Sequence, residues 1–202
     1  DNSIADPEPF LRTNVEGTRR LALQATDAGV RRFVFLSSVK VNGEQGRFNE
    51  ESPAAPADPY AESKSEGERV LRELARRAPL EVVILRPPLV YGPGVKANFR
   101  SLLHAVRRGI PLPLGGIANS RSLVSVDNLV DLIVVCLDHP AAASETFLVS
   151  DGEDLSTPAL VRRLAAAAGC RARLVPVPRW GLRLAGALSG QTPAIERLTG
   201  SL

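Results

Sequence analysis

Two short apolar runs, each ending in polar or turn-forming residues, constrain the fold of this chain most strongly. Residues 32–38 read RFVFLSS and residues 81–86 read EVVILR, and a segment with helical periodicity precedes each of them. Apolar runs of this length that alternate with helices are typical of buried strands in a parallel sheet. The sequence therefore predicts an α/β fold whose sheet is built from strand–helix–strand units.

The helices of the first half are predicted over Asp6–Gly29 and over Pro59–Arg77. Gly17 lies inside the first of them, where a glycine costs about 1 kcal/mol relative to alanine. Close approach by another backbone or a ligand would explain this glycine, and so would ordinary helix packing. The second half is predicted to contain a helix, a short strand, a second helix, a second strand and a third helix: Ala97–Arg108, Ser122–Val126, Asp127–Leu137, Thr146–Val149 and a helix starting at Ser156. In the Asp127–Leu137 helix, Asp127 is expected to be the cap, and Ile133, Val134 and Val135 are expected to make the helix buried nearly all round.

Tyr60 and Lys64 are the first candidates for chemistry, because they lie four residues apart and so share one face of a helix. A free phenol titrates near 10, and a nearby ammonium favours the phenolate, which makes the tyrosine a usable acid or base. The spacing alone is weak, since it arises often by chance. Ser37 and Ser38 follow an expected buried strand, at the sheet edge where α/β proteins place their ligands, although serine pairs there also form turns.

Composition excludes several other classes of protein. The net charge of +3 comes from scattered arginines without a basic run, which argues against nucleic-acid binding. No apolar stretch reaches the length of a membrane span. Cys136 and Cys170 lack metal-ligand spacing, and the two histidines have no acidic or cysteine partners, so no metal site is predicted. Two unpaired thiols fit a reducing cytoplasm.

Five segments in a fixed order resemble one known family: NVEGT, FVFLSSVKVNGE, DPYAESK, LRPPLVYGPG and RSLVSVDNLVDLI. The chain resembles the extended short-chain dehydrogenase/reductases, in particular the NAD-dependent epimerase/dehydratase group, and among these the UDP-hexose 4-epimerases and 4-ketoreductases of surface-polysaccharide synthesis. The resemblance covers essentially the whole chain. It implies a Rossmann-like doubly wound parallel sheet in residues 1–90 and 123–150, and a small substrate lobe in residues 91–122 and 151–202. It also implies NAD as cofactor, with NADP as the alternative, a nucleotide-sugar substrate of the UDP-hexose type, a homodimer and a cytoplasmic location.

The resemblance further implies roles for individual residues. Tyr60 would exchange a proton with a sugar hydroxyl, Lys64 would hold the nicotinamide ribose and lower the pKa of Tyr60, and Ser38 would orient the reacting oxygen. The residues implied at the cofactor are Asn14, Ser37, Tyr60, Lys64, Pro87 and Pro88. The residues implied at the substrate are Lys40, Lys96, Asn98, Phe99 and Arg121. The only lysines of the chain are thus Lys40, Lys64 and Lys96, and each falls inside one of these motifs.

The family opens with a strand, a GxxGxxG turn and a helix that holds the cofactor pyrophosphate, and this sequence contains no such motif. We therefore expect the first strand–helix–strand units to be missing, either because the chain is a fragment or because they lie outside this sequence. The 32–38 strand is then expected to expose an apolar edge that another chain or further residues cover. Two functions stay open: a nucleotide-sugar enzyme, or a non-catalytic nucleotide or redox sensor or inactive fragment. Dehydration is the least favoured reaction, because Val39 and Lys40 stand where a dehydratase carries an acidic pair.

Overall fold

The computed structural model describes residues 6–95, 97–178, 180–182 and 200–201. Its first element is a continuous helical run, in which a π-helical segment (Leu11–Gly17) joins α1 (Glu8–Phe10) to α2 (Thr18–Asp27). The remaining helices are α3 (Pro59–Ala75), α4 (Ala97–Arg107), α5 (Val126–Asp138) and α6 (Thr157–Ala167). The strands are β1 (Arg32–Leu36), β2 (Glu81–Arg86), β3 (Leu89–Tyr91), β4 (Leu123–Ser125) and β5 (Thr146–Leu148).

Strands β1, β2 and β5 form a parallel sheet in the order β1-β2-β5, which confirms the predicted parallel α/β architecture. The register pairs Arg32 with Glu81 and Leu36 with Leu85. Strands β3 and β4 pair in a separate two-stranded sheet. Strand β1 is an edge strand among the described residues, and the covering of that edge stays a prediction.

The chain divides into two compact units. The first comprises Asp1–Val90 and Val124–Asp151, and the second comprises Tyr91–Leu123 and Gly152–Leu202. In the first unit, alternate residues of β2 enter two apolar clusters: Val82 and Ile84 pack with Ala22, Phe35, Leu71 and Leu80, while Val83 and Leu85 pack with Cys136 and Ala142. Helices therefore cover both faces of β2, which explains why its sequence is continuously apolar.

Helix α5 differs from its prediction in two ways. Its cap is Ser125, whose Oγ accepts from the Asn128 backbone N–H at 3.1 Å, and Asp127 lies inside the first turn. The expectation of burial nearly all round is wrong, because Val134 is 58% exposed and Val135 is 48% exposed. One face of α5 packs on β2, and the described residues leave the other face uncovered.

A tight contact between helices occurs at Gly67. A Cβ added to Gly67 would lie 2.7 Å from the Asn14 carbonyl oxygen and 3.1 Å from Cζ of Phe35. At Gly17, a Cβ would meet only the Arg12 carbonyl oxygen, at 3.5 Å. The close backbone approach that the sequence suggested for Gly17 is therefore found at Gly67, where the π-helical segment passes α3.

The second unit is built around α4 and α6, which contribute Val106, Val161 and Ala165 to one apolar cluster. Helix α6 begins where the sequence predicts, with Ser156 Oγ accepting from the Ala159 backbone N–H at 3.2 Å. Within the described part of the chain, every helix is too short or too polar to cross a membrane.

Candidate active site

The carboxyl ends of β1 and β2 hold Ser38 between two backbone hydrogen bonds. The Ser37 N–H donates to the Leu85 carbonyl at 2.7 Å, and the Val39 N–H donates to the Pro87 carbonyl at 3.1 Å. Ser38 has an extended backbone, and its Oγ accepts from the Lys40 backbone N–H at 3.3 Å, so its side chain caps the following turn. The serine hydroxyl is thus fixed at the end of the sheet, beside Pro87.

Tyr60 reaches this strand end from the first turn of α3. Asp58 caps α3, since its Oδ1 accepts from the Ala61 backbone N–H at 2.7 Å. The ring of Phe10 packs edge-on against the Tyr60 ring, with 5.8 Å between the centroids. The Ser38 side chain lies close enough to the Tyr60 phenol to lower its pKa. The structure therefore brings together two of the three residues predicted to be catalytic.

Lys64, the third predicted catalytic residue, lies one helical turn further along α3. Its Nζ donates to the Leu36 carbonyl at 2.8 Å, and it lies 4.9 Å from the Phe35 ring centroid and 6.0 Å from the Tyr60 ring centroid. Burial lowers the pKa of Lys64, and the nearby Glu68 carboxylate opposes this. The ammonium is anchored to the last residue of β1, on the same helical face as Tyr60.

The pKa of Tyr60 differs from the expectation. Burial raises the pKa of Tyr60 above its usual value, the nearby Ser38 side chain and the charge of Lys40 lower it, and the charge of Asp58 raises it. The pKa of the phenol is therefore raised on balance, where the resemblance implied a value lowered by Lys64. The lysine whose charge opposes the effect of burial is Lys40.

Lys40 was expected to contact substrate, and in the structure two carboxylates of its own chain bind it. Its Nζ donates to Asp58 Oδ2 at 2.5 Å and to Glu44 Oε1 at 3.0 Å. Burial lowers the pKa of Lys40, but the hydrogen bonds to Asp58 and Glu44 outweigh it, so that the pKa is raised. A substrate contact at Lys40 stays a prediction.

A buried polar network lies beside the serines, and the sequence analysis missed it. Ser37 Oγ donates to Glu68 Oε1 at 2.5 Å, and Arg86 donates to both Glu68 oxygens, at 2.9 Å from Nε and 2.6 Å from Nη2. Arg86 Nη1 also donates to Asn42 Oδ1 at 3.1 Å. Glu68 is 1% exposed and Arg86 5% exposed. This network occupies the Ser37 hydroxyl, so a cofactor contact through that group stays a prediction.

Two signals in the sequence could have identified this network. Glu68 lies eight residues after Tyr60, so it shares the helical face of Tyr60 and Lys64. Arg86 ends a strand that is otherwise apolar between Val82 and Leu85. A charged residue in that position needs a buried partner, and the helix packed on the strand supplies it.

Asn14, predicted near the cofactor, connects the π-helical segment to α3. Its Nδ2 donates to Ser63 Oγ at 2.9 Å, and Ser63 Oγ donates to the Tyr60 carbonyl at 2.8 Å. Segments of π-helix are frequent at functional sites.

The predicted proline loop follows β2. Pro87 is buried and Pro88 is half-buried.

The predicted substrate residues of the second unit lie on α4 and in the segment before β4. Lys96 lies outside the described residues, Asn98 is exposed, and Phe99 is 7% exposed with its ring stacked on Tyr91 at 6.0 Å. Arg121 forms an antiparallel bridge with Leu155, and burial lowers the pKa of its guanidinium.

A cleft of about 570 Å³ lies in the same unit, between the 115–120 segment and the start of α6. Arg121 is partly buried and Phe99 packs against Tyr91. Contacts of these two residues with substrate stay predictions.

A parallel sheet with a serine, a tyrosine and a lysine near the end of one strand is the arrangement that the resemblance to the short-chain dehydrogenase/reductases implied. Comparison with known proteins gives the narrower assignment. The chain belongs to the NAD dependent epimerase/dehydratase family, whose profile matches residues 1–150. It is 53% identical to a UDP-glucose 4-epimerase of Vibrio cholerae, in an alignment that covers 100% of this chain and 63% of that protein. The chain therefore spans less than two thirds of that relative's length.

Solved structures agree on the fold. A dTDP-glucose 4,6-dehydratase from Streptomyces venezuelae, with NAD bound, is 32% identical with a TM-score of 0.70, over 87% of this chain and 56% of that chain. A UDP-glucuronic acid 4-epimerase from Bacillus cereus in complex with NAD is 22% identical with a TM-score of 0.76, over 87% of this chain and 60% of that chain. These similarities confirm the Rossmann-like α/β fold that was predicted.

Proposed function

We propose that this protein is an NAD-dependent nucleotide-sugar enzyme that reversibly oxidises a sugar carbon, as a UDP-hexose 4-epimerase or 4-ketoreductase. The observation that carries the proposal is that Ser38 and Tyr60, from different elements, lie near each other at the end of β1, where Lys64 Nζ is anchored to the Leu36 carbonyl. The 53% identity to a UDP-glucose 4-epimerase supports a UDP-hexose as the substrate. A sensor would need no proton-exchanging group, so this set of side chains favours an enzyme.

The donor groups at the strand end fit the ribose of a nicotinamide nucleotide. An ammonium has three donors, and the Leu36 carbonyl takes one donor of Lys64. The remaining donors of Lys64 and the hydroxyl of Tyr60 would hold the ribose, and Pro87 and Pro88 would contact the nicotinamide. When bound, this cofactor supplies the hydride acceptor and donor. Asn14 and Ser37 complete the proposed cofactor set, Asn14 by fixing the first turns of α3.

The step that the protein's own side chains carry out is proton transfer at Tyr60. We assign the phenolate oxygen of Tyr60 as the base that removes the proton from the reacting sugar hydroxyl, and the phenol as the acid that returns it. Ser38 Oγ, which lies near the Tyr60 phenol, orients the sugar oxygen for this transfer. Because burial raises the pKa of Tyr60, the positive charges near it are needed to populate the phenolate.

We assign the two compact units to the two ligands: the first to the cofactor and the second to the nucleotide part of the substrate. In the second unit, Asn98, Phe99 and Arg121 are the proposed contacts, and Lys96 is proposed with them. A guanidinium fork suits a diphosphate, which supports Arg121. We also propose that Lys40 lies near the reacting groups.

Assembly as a homodimer is part of the proposal. Leu11, Leu21 and Leu23 on the first helical run are 39%, 58% and 44% exposed, which supports an interface on this run. The resemblance adds α3 to the proposed interface. Two free thiols, Cys136 and Cys170, support a cytoplasmic location.

The direct test is a product assay on the purified protein. Analysis by NMR should show conversion of UDP-glucose to UDP-galactose if the protein is an epimerase, and reduction of a UDP-4-ketohexose by NADH if it is a 4-ketoreductase. The nucleotide released on denaturation should have the mass of NAD. No reaction at C4 in either assay, or release of no dinucleotide, would contradict the proposal.

A further inference from the structure

Lys40 is held against the start of α3 by a carboxylate that serves two partners. Asp58 Oδ2 accepts from Lys40 Nζ at 2.5 Å, while Asp58 Oδ1 accepts from the Ala61 backbone N–H at 2.7 Å. Glu44 Oε1 accepts a second hydrogen bond from Lys40 Nζ at 3.0 Å. The ammonium therefore ties the turn after Ser38 to the residue that caps the helix of Tyr60.

This pair is part of a chain of contacts that connects Ser38 to the helix of Tyr60. Ser38 Oγ accepts from the Lys40 backbone N–H at 3.3 Å, Lys40 Nζ binds Asp58, and Asp58 caps the turn that carries Tyr60. The Ser38 side chain lies near the Tyr60 phenol, whose pKa it lowers. Because each link involves a capped turn or a capped helix, this chain of contacts restricts the separation of the two hydroxyl groups.

The same pair places opposite charges near Tyr60. The charged and titratable groups around Tyr60 come from its own helix and from the turn after β1: Asp58, Lys64, Ser38 and Lys40. From α1, the contact is the apolar ring of Phe10. Burial raises the pKa of Tyr60, the charge of Lys40 lowers it, and the charge of Asp58 raises it. The side chains of Lys40 and Asp58 are only 23% and 20% exposed, which limits the screening of their charges by solvent.

We propose that Lys40, paired with Asp58, is a positioning residue for the reaction, which holds the Ser38 turn against the Tyr60 helix and places a positive charge near the phenol. This proposal rests on the proposed function, because it concerns the same proton transfer at Tyr60. It replaces the substrate contact expected for Lys40 by a role within the chain. A compact ammonium suits the position, because it can bond Asp58 and Glu44 at once.

The test measures the titration of Tyr60 directly, by the tyrosinate absorbance of the full-length protein minus that of its Tyr60→Phe variant. Lys40→Met removes the positive charge and should move the Tyr60 midpoint to higher pH. Asp58→Asn keeps a helix-capping side chain, leaves Lys40 held by Glu44, and should move the midpoint to lower pH. Glu62→Gln, which removes an exposed carboxylate from the first turn of the same helix, is the matched control and should not move it.

The pH dependence of kcat is a second measurement of the effect of Lys40 on Tyr60. In Lys40→Met, the rise of kcat with pH should move to higher pH, with kcat lowered about tenfold near neutral pH and KM for the sugar nucleotide little changed. An unmoved Tyr60 midpoint in both Lys40→Met and Asp58→Asn would overturn the proposal. A large rise in KM with an unmoved midpoint would also overturn it, and would restore Lys40 as a substrate contact. The absorbance titration needs no turnover, so a protein inactive on UDP-hexoses would refute the proposed function while this test still decides the role of Lys40.

Discussion

Ser38, which follows the end of β1, places its side chain near the phenol of Tyr60, in the first turn of α3. The two residues come from different elements, and each is fixed independently. Ser38 caps its own turn, and the turn of Tyr60 is capped by Asp58. Two side chains fixed in this way are placed for proton transfer with a substrate without prior rearrangement.

Replacement of Ser38 tests the effect of its side chain on Tyr60. Ser38→Ala removes a partner that lowers the pKa of Tyr60, so the pKa should rise further, and it also removes the group that orients the sugar oxygen. We expect kcat to fall by about 10²- to 10³-fold with NAD affinity retained, as for the loss of an oriented donor in other active sites. Steady-state kinetics and NAD binding by fluorescence measure both quantities. Ser38→Thr, which keeps a hydroxyl, should retain far more activity, and equal losses in both variants would contradict the account.

Gly67 should be sensitive to substitution in a way that Gly17 is not. Gly67→Ala would place a methyl group 2.7 Å from the Asn14 carbonyl oxygen, which a helix backbone cannot easily yield. We expect a loss of about 1–3 kcal/mol in the free energy of unfolding. Gly17→Ala meets only an ordinary contact at 3.5 Å and should be neutral or stabilising by up to about 1 kcal/mol. Urea unfolding of the two variants compares them directly, and a greater loss for Gly17→Ala would contradict the packing described.

The buried pair of Glu68 and Arg86 should be costly to break from one side. Glu68→Ala would leave the Arg86 guanidinium, 5% exposed, without its carboxylate, and we expect a loss of about 3–5 kcal/mol in stability. It would also free Ser37 Oγ. The double variant Glu68→Leu with Arg86→Met removes both charges and should lose much less. Glu73→Gln, on the outer face of the same helix, is the control and should leave stability nearly unchanged. A double variant as unstable as the single one would count against this reading.

The parallel sheet and the approximate bounds of the helices follow from the sequence, because apolar runs and helix punctuation are local signals. Strand β2 illustrates this, since Glu81–Arg86 is its observed extent and its predicted one. The surroundings of the site do not follow from such signals. That Lys40 binds Asp58 and Glu44, and that Ser37 binds Glu68, depends on how turns and helices far apart in the chain pack together.

The prediction for α5 failed for a related reason. Its apolar composition indicates that its surface is suited to burial, but composition does not say which partner covers each face. Ile133 packs on the β2 cluster, while Val134 and Val135 are exposed in this chain. The direction of the Tyr60 pKa shift could not be predicted for the same reason. The spacing of Tyr60 and Lys64 indicates that they share a helical face, but it does not give the degree of burial, and burial raises the pKa of Tyr60.

The most direct test of the central claim is the activity of Tyr60→Phe in the full-length protein, measured together with its bound nucleotide. The ring and its contact with Phe10 are kept, so the variant should fold and retain NAD, while turnover of the nucleotide sugar falls by about 10³-fold or more. Tyr91→Phe, at the other tyrosine of the chain, is the control for loss of a phenol. Turnover of Tyr60→Phe equal to that of the unmodified protein would contradict the assignment of Tyr60 as the proton-exchanging residue.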